Sequence, residues 1–513
     1  MSGRGGKKAI KLGNYFLIKY SIINDMLLTI DIGTSSFKSA LWDLDINDGK
    51  KNRLSFVSIP VSFETQKSDY GSSLNEEYKH EIEPSVWLTA FAESCQKLLI
   101  DTDLKNLNAV KAIIISGNGP SLVPVPGESF FSSKFEAPAH NALLWLDRRA
   151  VKYQERVSEV MGGFVDASFF LPKIFYLKND ENEIYNKTKY FLGCPEYLAF
   201  ALTGTAKTVF PCEGFDRWFW NDSALSKLEL DKAKFPAFIR PGDQFGTIFP
   251  SAAQYFGFSK DIPVISGGPD FFAAILGSGV NEAGQVCDRS GSSEGINLCT
   301  KNHITDERLM SYGHPVKPLW NLSGIINTSG TAIEWGRNIL GIRSFNDFIT
   351  VSKSSKPGSK GVIFTPYLAG ERAPLWDTQL RAKWRGVGLS SGRSEFANSI
   401  LESIGFAIRD VINVMEQSGA CGVSQLRVTG GLADCGRLNQ IKADITGKQV
   451  LAGIHKDEEL LGLAIIGACL LGKYSSYKDA SNEMCKIEKT YEPDVNNKKI
   501  YDDLFGEYIK NRK

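Results

Sequence analysis

Met26-Leu27-Leu28-Thr29-Ile30-Asp31-Ile32-Gly33-Thr34-Ser35-Ser36-Phe37-Lys38 sets an apolar run against four small turn residues, and a second extended run continues through Trp42. That pattern predicts strand, tight polar turn, strand. A looser echo stands at Asp288-Arg289-Ser290-Gly291-Ser292-Ser293-Glu294-Gly295-Ile296. Both copies carry an acidic residue, a Gly-Ser/Thr tip and a second strand, which aligns Asp31 with Asp288. Either hairpin alone is ordinary turn chemistry. As a pair, each opening one half of the chain, they predict a duplicated core.

Outward from the hairpins, short apolar runs predict strands at 112–116, 262–266, 285–289, 295–299, 362–365 and 425–429. Longer stretches predict helices at 84–99, 147–160, 394–417, 436–446 and 458–472, and 353–360 reads as an exposed loop. Strands alternating with long helices make an α/β protein of layered helices and sheets. A chain of 513 residues with 42% hydrophobic content exceeds what one core organises. The expected division is a basic extension at 1–25, domains at 26–276 and 277–478, and a tail at 479–513.

Composition excludes several classes. With 59 basic against 58 acidic side chains, the net charge of +1 offers no global field for nucleic acid. Nine scattered cysteines, none in a CxxC, suggest neither a disulfide framework nor a zinc site, and point to a reducing, cytoplasmic setting. The uncharged apolar run near the C-terminus covers only 460–472, below the roughly 18–20 residues of a membrane span. The expected partners are small molecules, neither nucleic acid nor membrane, and homodimerisation is left open.

Three places carry chemistry. In the first hairpin, small residues expose backbone N–H groups that converge on anionic oxygens, and Thr34, Ser35 and Ser36 add hydroxyls. Lys38 reaches the same side, and Asp31 ends the strand where a carboxylate would hold Mg²⁺ through water. The second place is Ser266-Gly267-Gly268-Pro269-Asp270, a strand running into a helix headed by an acid. Phosphoryl transfer needs a base on the attacking hydroxyl, and Asp270 is either that base or a simple helix N-cap. The third is Gly430-Gly431 before the 436–446 helix, with Ser329-Gly330-Thr331 as a similar turn. Paired glycines allow close approach of a nucleotide, and a helix N-terminus faces anions favourably. No GxGxxG or GxxxxGK[ST] is present, so neither a Rossmann nor a P-loop site is supported.

The collinear order of these motifs resembles the FGGY family of carbohydrate kinases. That family lies in the wider ATPase superfamily of actin, hexokinase and the heat-shock chaperones. DIGTSSFK is similar to its first phosphate loop, SGNGPSLVPV and ALLWLDRRA to sugar-proximal segments, and FFLPKIFYLKND to its first signature region. GGPDFFAAILGSG is similar to the turn with the catalytic Asp, SGSSEG to the second phosphate loop, SGTAIEWG to a triphosphate-side turn and GGLADCGRLNQIKADITG to the adenosine motif. The resemblance implies two ribonuclease-H-like (actin-like ATPase) domains around a central cleft, with ATP and a sugar as substrates and Mg²⁺ as cofactor. It makes Asp270 the base on the sugar hydroxyl and a metal neighbour of Asp31. It places Thr34, Ser35, Ser36, Lys38, Gly291, Ser292 and Gly330 on the phosphates, Gly431 and Cys435 at the adenosine, and Trp145 and Asp147 near the sugar. Cys435 stands where the family often has Ser or Asn. The Arg-Glu grip of glycerol kinases is replaced by Gly119-Pro120, and their Gln after the catalytic Asp by Phe271. The Met-His pair and Asn of xylulose kinases are absent too, yet the neighbouring segments are closer to xylulose- and ribulose-kinase-like branches. Xylulose, then ribulose, is the expected sugar. A nucleotide-binding regulator on the same fold is the alternative.

Overall fold

The computed structural model describes residues 25–46, 52–65, 79–132, 137–377 and 379–512. The basic extension expected at 1–25 lies outside them except for Asp25. Two mixed sheets dominate. The first has the spatial order Gln244–Thr247, Pro263–Pro269, Val110–Gly117, Met26–Ile32, Ser36–Asp43, Arg53–Pro60. The second runs Met310–Gly313, Trp320–Ile326, Glu294–Thr300, Gln285–Ser290, Gln425–Thr429, Gln449–Gly453, Ile487–Tyr491.

Each sheet has the same plan. Three antiparallel strands continue into two parallel strands and end in an antiparallel edge strand, and the second sheet adds Met310–Gly313 antiparallel outside Trp320–Ile326. The duplication expected from the two hairpins is therefore present in the topology, one residue out of the expected register. Counted back from the last paired residue of each turn, Ile32 and Ser290, the counterpart of Asp31 is Arg289 and not Asp288.

Helices Asp270–Gly277 and Glu458–Leu470 follow corresponding parallel strands and cross between the halves. The second of them buries Leu460, Leu463, Ala464 and Ala468 against Leu27, Ala40, Trp42 and Ile114 of the first sheet. The crossing is backbone on backbone. A Cβ on Gly462 would lie 2.0 Å from the Ala273 carbonyl oxygen, and one on Gly277 would lie 1.8 Å from that of Glu458.

Two sequence expectations change. Residues 479–512 of the expected tail are packed into the fold: Ile487–Tyr491 closes the second sheet, and the Val495–Asn511 helix buries Tyr501, Phe505 and Tyr508 in its core. The helix expected at 147–160 begins at Gln154, because an ion pair between Asp147 and Arg149 holds the preceding turn. The 362–365 run is a short strand, Ile363–Thr365, paired with Lys383–Arg385 apart from both main sheets. Among the described residues no helix is long and apolar enough to cross a membrane.

Candidate active site

The first hairpin turn is closed by the Gly33 N–H donating to the Ser36 carbonyl at 2.9 Å. A Cβ at Gly33 would meet that oxygen at 2.8 Å, so the tight turn excludes a side chain there. Ser35 is exposed at the tip, and the Thr34 hydroxyl accepts from the Trp145 indole N–H at 2.8 Å. Trp145 thus joins the expected sugar segment to the phosphate turn. Asp147 is fully buried; its carboxylate accepts from the Arg149 side chain and from the His80 backbone N–H at 2.8 Å. It therefore holds the loop that presents Trp145.

Asp31 lies opposite Lys38 in the hairpin register. Its carboxylate is buried and Oδ1 has no hydrogen-bond partner among the described residues. Burial, together with Glu459 and Asp270, pushes Asp31 up to about 8 against the pull of Lys38 and Arg289. An orphaned acid in such a cluster fits a site completed by a cation. No three His, Cys, Asp or Glu side chains among the described residues could cage a metal. Mg²⁺ keeps most of its water and needs only one or two carboxylates besides phosphate oxygens, and Asp31 could supply one. The sign of the pH effect follows. Between the unfolded carboxyl's range and pH 8 the folded protein holds the extra proton, so stability falls as pH rises through that window. Without divalent cations, Asp31→Asn is expected to raise the melting temperature at pH 8 and to leave it unchanged near pH 4. Equal melting temperatures at pH 8 would refute this reading of the cluster.

Asp270 heads its helix without side-chain capping beyond its own turn; Pro269 occupies the cap position. Asp270 Oδ1 accepts from the Phe271 backbone N–H at 2.6 Å and Oδ2 from Arg289 Nη2 at 2.9 Å. A second ion pair mirrors it. Lys38 Nζ lies 2.6 Å from Asp457 Oδ1, at the start of the Glu458–Leu470 helix. Burial opposes the Lys38 charge, but Glu459, Asp457 and Asp31 more than offset it and raise its pKa. Each half thus sends a cation from its glycine-tipped hairpin to the acid at the head of the other half's crossing helix.

The second hairpin turn is braced from beneath. Gly291 and Ser292 offer their carbonyls to the N–H groups of Gly330 at 2.9 Å and Ser329 at 2.9 Å. The first N–H groups of the Gly330–Ile339 helix are therefore spent on the loop itself, so Gly330 shapes the phosphate loop instead of facing open space. Below it, fully buried Lys442 donates to Asp288 at 2.7 Å, Ser290 at 3.1 Å and Glu294. Burial and Glu294 push Asp288 well up, while Lys442 draws Glu294 below its ordinary range against the opposing effect of burial.

Gly431, Cys435 and Arg437 line a cavity of about 670 Å³ with Phe345, Ile349 and Lys353. Gly431 faces open space, and Gly430 adopts φ +85° where a Cβ would meet the Ser290 carbonyl at 2.6 Å. Asn439 is buried and donates to the Ala433 carbonyl, fixing the Gly-Gly turn from behind. In the segment replacing the glycerol-kinase grip, Gly119 likewise faces open space, and Asn118 and Ser121 are tied to each other and to Ile32. Phe271 stacks on Phe215, with centroids 5.4 Å apart, and meets Tyr312 edge to face.

Sequence reading missed Arg289, Asp457, Glu459 and Lys173. Lys173 is fully buried; burial pushes it down to about 7, and its ammonium donates to the Pro120 and Leu144 carbonyls at 2.9 and 2.6 Å. It anchors the loop facing the expected sugar. The signal for it was a lysine inside an apolar helix.

Comparison with known proteins places these features in a family. The sequence profile for the N-terminal domain of the FGGY family of carbohydrate kinases matches residues 26–277, and the C-terminal profile matches 289–471. A xylulose kinase of Staphylococcus epidermidis is 25% identical over 504 residues, covering 95% of this chain and 96% of the relative. The crystal structure of gluconate kinase from Lactobacillus acidophilus superposes with a TM-score of 0.80 at 21% identity, covering 95% of this chain and 97% of that one. Ligand-bound xylulose kinase from the same organism also gives 0.80 at 21% identity, covering 95% and 98%. The chain belongs to the FGGY family of carbohydrate kinases.

Proposed function

We propose that this protein transfers the γ-phosphoryl group of ATP to a ketose hydroxyl, with Asp270 as the base. The observation that carries the reading is the Asp270 carboxylate, held by two N–H donors at the head of a crossing helix and facing both phosphate hairpins. The sugar hydroxyl gives its proton to Asp270 while its oxygen bonds to the γ-phosphorus. The bond from that phosphorus to the β–γ bridging oxygen breaks, ADP leaves, and Asp270 later returns the proton to solvent. Thr34, Ser35, Ser36 and Lys38 meet the phosphates from one half, and Gly291 and Ser292 meet them from the other. Gly431 and Cys435 wall the adenosine cavity, with Lys353 and Arg437 adding positive charge at its rim. Mg²⁺, when bound, would neutralise triphosphate charge, and Asp31 would hold it through water with Asp270 nearby. Trp145 lines the sugar side, oriented by Asp147. The nine free thiols support a reducing, cytoplasmic setting.

The names of the relatives and the open space at Gly119 support a five- or six-carbon substrate. Hydroxyl specificity needs placed donors and acceptors, and the charged pair that would grip a triol is absent here. A coupled ADP-release screen is expected to give its highest kcat/KM on xylulose, then ribulose, and negligible turnover on glycerol. Glycerol as the best substrate would end the ketose reading.

A further inference from the structure

Strand alternation divides Cys287-Asp288-Arg289-Ser290 between two environments. Asp288 and Ser290 face buried Lys442, whereas Cys287 and Arg289 face the crossing helix of the other half: the Cys287 thiol lies toward the Ala274 carbonyl and Arg289 toward Asp270. Arg289 takes the place in the second half that Asp31 takes in the first, two residues before Gly291 and on the same strand face. Only about a quarter of its side chain is exposed, and a guanidinium has five N–H donors. Asp270 occupies Nη2, and Nε is buried with no partner among the described residues. Arginine's planar fork suits two anions at once, and the phosphate loop brings a second anion to its side.

We propose that Arg289 is a catalytic gate on the base: it holds Asp270 while the sugar subsite is empty, and contacts the transferring phosphoryl group when the sugar hydroxyl takes over the carboxylate. The proposal rests on the kinase reading and goes beyond it. An unguarded Asp270 beside bound ATP would deprotonate water instead of sugar. Water oxygen would then bond to the γ-phosphorus as the bridging bond breaks, giving ADP and inorganic phosphate, with the proton passing to Asp270 and on to solvent. Engagement by Arg289 suppresses that loss. Its later contact with the phosphoryl oxygens stabilises charge where it develops, as an arginine supplied within the same chain does in other phosphoryl-transfer enzymes.

The test measures three quantities on the full-length protein for wild type, Arg289→Ala and Arg289→Lys. These are xylulose-dependent ADP release, sugar-free ADP release, and calorimetric binding of ADP. Arg289→Ala is expected to lower sugar phosphorylation by about 10²–10³-fold. Its ADP affinity should stay within about threefold, because the adenosine cavity is elsewhere. The ratio of sugar-free to sugar-dependent turnover should rise at least about tenfold, with partial recovery in Arg289→Lys. A latch that merely held the halves together would lower both turnovers in step, and that result, or phosphorylation within threefold of wild type, would overturn the proposal. Should Arg289→Ala fail to fold, Arg289→Gln keeps the stem and one donor and is read by the same ratio. Should wild type accept no sugar at all, the ketose reading fails separately. Sugar-free hydrolysis then decides alone: a rise, or a fall of less than about 10²-fold, supports the gate, and a larger fall rejects it.

Discussion

Asp270→Asn is expected to bind ADP normally and to lose turnover by about 10²–10⁴-fold. The carboxylate accepts one N–H on each oxygen, from Phe271 and from Arg289. An amide must turn its NH₂ toward one of those donors, so it loses a hydrogen bond as well as the capacity to take a proton. The cavity proposed for adenosine, lined by Gly431, Cys435 and Phe345, contains neither partner and should be unaffected. Calorimetry with ADP and steady-state kinetics on xylulose separate the two effects. Near wild-type phosphorylation by the purified variant would remove Asp270 from the mechanism.

Gly462→Ala, with Gly277→Ala, should be among the most damaging single-methyl changes at the described glycines. The added Cβ would sit 2.0 Å from the Ala273 carbonyl oxygen and 2.7 Å from its carbon, both backbone atoms of the opposing helix. Neither helix can yield by rotating a side chain. Overpacking of this kind costs typically ~1–3 kcal/mol and more where backbone must move. Because these helices join the halves, the expected outcome is a fall of several degrees in melting temperature together with loss of sugar phosphorylation. Gly388→Ala, whose Cβ would meet nothing within 4 Å, is the matched control. An unchanged melting temperature in Gly462→Ala would show that the crossing is looser than its geometry implies.

The elements legible in the sequence were those whose local chemistry matches their role. The Asp31-to-Lys38 hairpin, the Gly-Gly-Pro turn before Asp270 and the Gly-Gly turn before Cys435 all declare backbone needs that few residue types satisfy. Arg289 declared nothing, since a single charge in a short strand looks like a solvated face until the opposing half supplies Asp270. Asp457 and Glu459 looked like routine acids at a helix start. The strand Ile487–Tyr491 was illegible for a related reason. Four of its five residues are exposed because it is a sheet edge, so it lacks the apolar run that marked the inner strands. Asp288 misled because its acidity matched Asp31 by type while its side chain points to the opposite face, toward Lys442.

The reciprocal pairs Lys38–Asp457 and Arg289–Asp270 mean that the empty enzyme solvates its own cations with its own acids. On the proposed reading, an incoming triphosphate would not find bare positive charge; at Lys38 it would have to displace Asp457. A phosphate bound there would free that acid at the same moment, while Asp270 would stay on Arg289 until the sugar arrives. Ligand entry becomes an exchange of counter-ions, in which anion uptake and cation uptake drive each other. If the proposed metal site holds, ATP delivered as its magnesium complex would meet both halves of that exchange at once, whereas the metal-free nucleotide would meet only the costly half.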